Sequence, residues 1–158
     1  MKQVTSAFAM AALVGLAVGA RADEPLPQGY TNADLNGGYG CNVSGKLAGA
    51  GAVGTAQCHF QGDGTISKAV FALHVGGIGV CQYALKPGTG RYGISANGTG
   101  LAQTIYSLQP GSAGRCPPVL STHFTFVCSG AVTTADTCDI ASLDAGILLS
   151  GTCKKQDR

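Results

Sequence analysis

Apolar and polar positions alternate over short runs from Asp34 to the end of the chain. Tyr39, Cys41 and Val43 share one parity, as do Cys58 with Phe60, and Cys81 with Tyr83 and Leu85. Phe124, Phe126 and Cys128 repeat the pattern, followed by Cys138 with Ile140 and by Leu149 with Cys153. Residues two apart share a face of a strand, so each run predicts a strand with one buried face. Glycine-centred segments such as "LAGAGAVG", "QGDGTIS", "KPGTG", "ANGTG" and "LDAGI" separate the runs. Asp63-Gly64 and Asn97-Gly98 are dipeptides that supply the positive φ of tight turns. These signals recur about every ten to fifteen residues, a repetitive hairpin spacing. No stretch after residue 23 holds a 3.6-residue period over a helical length. The fold class is all-β.

Short loops make consecutive strands antiparallel neighbours, which predicts a meander of about eight strands. Closing it into a small up-and-down barrel removes the two exposed edges that an open meander would carry. The longer connection "PGSAGRCPPVLS" keeps a β-sandwich as the alternative, since it could cross between two sheets.

The first residues change the picture of where the protein works. Met1-Lys2 is a short basic start, and "AFAMAALVGLAVGA" is an apolar run too short to span a bilayer comfortably. Ala20-Arg21-Ala22 offers a small-x-small cleavage site. We therefore expect a signal peptide at 1–22, an extended lead-in at 23–33, and a barrel domain at 34–156. The mature protein is expected to be secreted or periplasmic, with no stable membrane insertion after cleavage. Of the ten basic residues, Lys2 and Arg21 leave with the leader, so eight remain against eight acidic ones. A neutral chain lacks the basic patch that nucleic acid or an anionic membrane would require.

Seven cysteines in a small exported chain predict a disulfide framework. No Cys-x-x-Cys pair is present, so zinc and thioredoxin-like chemistry lack their spacing. Every cysteine on a predicted strand falls on the apolar parity. Reflection through the glycine-rich turns makes Cys41 and Cys58 one pair and Cys138 and Cys153 another. Cys81 with Cys116 would tie the long connection back to the barrel wall, leaving Cys128 as the free thiol. Two alternatives remain open: Cys41–Cys153, closing first strand on last, and Cys128–Cys138, competing for Cys138. An odd cysteine also allows covalent self-association.

Catalytic and metal motifs are missing: no Gly-x-Ser-x-Gly, no phosphate-cradling loop, no His-Glu-x-x-His. We expect no catalytic residue, no metal and no cofactor. His59, His74 and His123 each sit on the parity opposite an apolar neighbour, which predicts solvent-facing rings. Asp63 in "QGDGT" reads as a turn residue, since calcium would need several oxygens.

"LNGGYGCNVSG", "FQGDGTIS", "GRYGISANGTG" and "GILLSGTCKKQ" resemble small exported bacterial proteins with calycin-type barrels, the architecture of lipocalins and avidins. Gly37-Gly38-Tyr39 stands where a lipocalin carries Gly-x-Trp, and the chain has no Trp. The resemblance implies architecture only. Two functions follow as expectations. The first is a non-enzymatic barrel holding one small apolar or amphipathic ligand, lined by Tyr39, Phe60, Tyr83, Phe124 and Phe126. The second is a structural or interaction protein of the cell surface, a coat or fibre component.

Overall fold

The computed structural model describes residues 29–130 and 135–156; the expected leader and most of the lead-in lie outside them. Nine strands occur among the described residues: β1 (Asn36–Leu47), β2 (Ala50–Gln61), β3 (Thr65–Val75), β4 (Gly79–Leu85), β5 (Gly90–Ile94), β6 (Thr99–Leu108), β7 (Val119–Ser129), β8 (Thr137–Ser142) and β9 (Ile147–Lys155). They fill eight positions. β4 and β5 are halves of one strand, each pairing with β3 on one side and β6 on the other. All pairings are antiparallel, and β9 returns to β1, closing the barrel.

The turns follow from their residues. Leu47 opposes Ala50, so Ala48-Gly49 is a two-residue hairpin loop with both φ angles positive, 51° and 82°. That is the backbone a tight hairpin demands, because its twist matches the strands it joins. Asp63 and Asn97 act alike: each accepts hydrogen bonds from the N–H and hydroxyl of the Thr two residues on. Asp63 is thus a turn residue, and these bonds hold its carboxyl below the ordinary carboxylate range.

The long connection before β7 does not cross to a second sheet. Its backbone runs beside β4, with the Gln109 and Ala113 N–H groups donating to Gln82 and Val80 carbonyls. It covers the part of β4 that β6 leaves unpaired, so that stretch presents no free edge.

Three disulfides staple the barrel: Cys41–Cys153, Cys81–Cys116 and Cys128–Cys138, with Cys58 as the free thiol. The expected Cys41–Cys58 pair does not form, because the first hairpin turns one residue earlier than the reflection assumed. Cys41 faces Ala56, and Cys58 faces Tyr39. Cys138 and Cys153 do oppose one another. Each is bonded instead to its other neighbour, so all four cysteines of that row are paired; a Cys138–Cys153 bond would strand Cys41 and Cys128. Cys128 is therefore bonded, not free. Three such bonds fit an oxidising compartment.

At one end of the barrel a 3-10 turn, Asn32–Asp34, folds under the wall. Asp34 accepts from the Thr31 N–H and hydroxyl, while the Tyr92 hydroxyl donates to the Asn32 and Leu35 carbonyls. Leu35, 1% exposed, is thereby pressed into the interior.

Candidate functional site

Inside the barrel, aromatic rings gather into two groups. Phe60 stands edge-on to both Tyr39 and Tyr92, with centroids 5.3 and 4.9 Å away. Phe71 stacks on Tyr83 at 4.9 Å and meets Tyr106 edge-on at 4.6 Å. Both edge-to-face and offset-stacked contacts suit the ring quadrupole.

Between these groups the inward positions are small. Ala56 on β2, Ala69 on β3 and Ala102 on β6 line the wall, and a cavity of about 90 Å³ remains beside them. Tyr39, Phe60, Phe71, Tyr106, Phe124 and Phe126 supply its aromatic surface. Four of the five expected lining residues are thus brought together: Tyr39, Phe60, Phe124 and Phe126. Tyr83 is not among the lining residues. It is buried behind Phe71, and its hydroxyl donates to the Pro117 carbonyl, which anchors the long connection.

Parity alone missed Phe71 and Tyr106, although both share the inward parity of their strands. It also gave no weight to the alanines, which signal nothing until closure gathers them around one space.

Among the described lining residues the polar side chains are few and uncharged, and Thr104 is tied to Thr122 behind it. The Thr104 and Thr122 hydroxyls pair at 2.6 Å, and Tyr106 hydrogen-bonds to Thr104. Burial pushes the Tyr106 phenol up to about 12, outweighing that bond. Burial also raises Tyr39, whose hydroxyl donates to the Ala135 carbonyl at 2.7 Å. The Cys58 thiol opens on the same space, and burial pushes it up to about 12. A thiol so rarely ionised is a poor nucleophile at neutral pH. The arrangement can hold an apolar group. It offers no charged partner for acid–base work.

The histidines are exposed on the outer wall. His59 Nδ1 lies 3.3 Å from Ser67 Oγ, and His123 Nδ1 lies 2.8 Å from Asp144 Oδ1. Burial disfavours the ionised Asp144 carboxyl, but bonds from the His123 ring and backbone outweigh it and hold the carboxyl below its ordinary value.

No protein-family model, curated protein or solved structure matches this chain.

Proposed function

We propose that the protein is an exported, calycin-like binding barrel that takes one small apolar group, or the apolar end of an amphipathic ligand, into its interior. The cavity between the two aromatic groups carries this reading. An unfilled space of 90 Å³ costs about 2 kcal/mol at roughly 24 cal/mol per Å³. Three alanines keep that space open where valine or leucine would suit strands equally well. Its size also narrows the ligand. Drug-sized sites run to about 300–1,000 Å³, and a cavity of about 150 Å³ holds benzene. A few carbon atoms fit here, with any polar head outside the wall.

The coat or fibre reading finds less support. A closed sheet offers no free edge to a partner strand. The odd cysteine, Cys58, is half-buried and borders the interior cavity, which disfavours a covalent link between copies.

The test joins two measurements. Protein recovered from an exporting bacterial host is weighed under native and then denaturing conditions, and xenon is titrated into the purified barrel by 129Xe NMR. The expected results are a small extra mass lost on denaturation, and xenon exchange with an interior site. Ala69→Val fills the cavity; it should abolish the xenon signal and stabilise the barrel by about 1 kcal/mol. A bare native mass together with no xenon response would sink the proposal.

A further inference from the structure

Four cysteines stand in one rung across four adjacent strands, all on the inner face. Cys41 on β1 opposes Cys153 on β9, Cys153 opposes Cys138 on β8, and Cys138 opposes Cys128 on β7. The two bonds join the outer neighbours, so the central pair, Cys138 and Cys153, is directly opposed yet unbonded to one another. The outer pairs are the close kind, 3.9 and 4.0 Å apart at Cα, which makes the central pair the hydrogen-bonded kind, about 5.5 Å apart and still within disulfide range. The rung therefore holds three positions for a bond and fills the outer two.

We infer that this rung is a disulfide-exchange device whose bond moves to Cys138–Cys153 when an external dithiol supplies one pair of electrons. Suppose the dithiol reduces Cys128–Cys138, becoming a disulfide itself and leaving two thiols. The Cys138 thiolate then attacks Cys153 Sγ. The Cys138–Cys153 bond forms, the Cys41–Cys153 bond breaks, and Cys41 leaves as a thiolate that takes up a proton. If Cys41–Cys153 is reduced first, the Cys153 thiolate attacks Cys138 Sγ and expels Cys128. Both routes reach the same isomer, and the exchange step involves no net oxidation.

Strand order favours this attack. The nucleophile on β8, the attacked sulfur on β9 and the leaving sulfur on β1 lie in sequence along one rung. Cys41, Cys138 and Cys153 also border the cavity, which leaves their side chains room to turn. The consequence is structural. Cys41–Cys153 is the covalent link between β1 and β9, the seam that joins the two ends of the meander. In the shifted isomer that seam is held by hydrogen bonds alone, and Cys41 becomes a second thiol beside Cys58 at the cavity wall.

The experiment is partial reduction of the full chain with limiting dithiothreitol at pH 8. Acid quenching, alkylation and peptide mapping follow. The expected product is a Cys138–Cys153 cross-linked peptide with alkylated Cys41 and Cys128, Cys81–Cys116 remaining intact. Hydrogen exchange at the β1–β9 seam should quicken in that species. Finding only the two original rung bonds at every level of reduction overturns the inference. A second protein, Cys41→Ser with Cys128→Ser, isolates the central pair. It should oxidise to Cys138–Cys153 on air exposure, whereas persistent thiols in a natively folded barrel count decisively against the device.

Discussion

Cys58 shows at the residue scale how burial controls reactivity. Its thiol faces the cavity, and the cost of burying a thiolate holds its pKa near 12 against an ordinary 9.0. Tyr106, raised from 10.0 to about 12, behaves likewise. Both groups are neutral in the folded barrel and ionise more readily when unfolded. Their contribution to stability is therefore fully present below pH 9, and it is lost as pH rises from there through about 12. We expect an aromatic disulfide reagent at pH 8 to label native Cys58 far more slowly than the denatured chain. We also expect chemical denaturation midpoints to fall steeply above pH 9. Rapid native labelling, or a flat midpoint between pH 9 and 12, would contradict the burial assigned to these groups. Replacing Cys58 with Ser should cost about 1–3 kcal/mol, since it puts a more polar group against an apolar cavity wall. Replacement with Ala removes a sulfur and leaves nothing polar to satisfy, so it should be milder.

Turns and glycines decide the outcome at the scale of elements. Ala48 holds φ at 51° in the first hairpin, a region that an L-residue with a Cβ enters at a cost. Ala48→Asn would produce the Asn-Gly pair that a two-residue hairpin prefers. It should stabilise the barrel by about 0.5–1 kcal/mol in urea denaturation. Gly54 is needed for a different reason. A Cβ there would stand 1.9 Å from the Ala72 carbonyl oxygen on the neighbouring strand, whereas Gly93 has open space around it. Gly54→Ala should cost more than about 2 kcal/mol and Gly93→Ala less than about 1 kcal/mol, and equal effects would deny that close approach any role.

The same element explains what the sequence made legible. Strand faces were readable because parity needs no knowledge of partners. Register was not, because it depends on where a turn begins. Placing the first hairpin at Ala48-Gly49 rather than one residue later moves Cys41 opposite Ala56 and frees Cys58. The aromatic lining could be read in part, since Phe60, Phe124 and Phe126 announce themselves. The cavity could not, because Ala56, Ala69 and Ala102 come from distant strands and meet only after closure.

For the whole molecule, the three disulfides differ in how much of the chain they constrain. Cys41–Cys153 closes a separation of 112 residues, Cys81–Cys116 one of 35, and Cys128–Cys138 one of 10. A cross-link acts mainly on the unfolded chain, restricting it more as the loop lengthens; these separations give about 5, 4 and 3 kcal/mol respectively. The first bond has a second role, because it spans the seam where the last strand meets the first. An up-and-down barrel forms its hairpins locally, but it joins β1 to β9 only when the whole chain has collapsed. Paired Cys→Ala replacements should therefore lower the urea midpoint in the order Cys41/Cys153, then Cys81/Cys116, then Cys128/Cys138. Refolding from the non-reduced unfolded state should slow most for the first pair, since the seam must then be found by diffusion. If the Cys128/Cys138 variant proves the least stable, loop closure is not the governing term. The stabilisation would then lie in how the folded interior packs around that bridge.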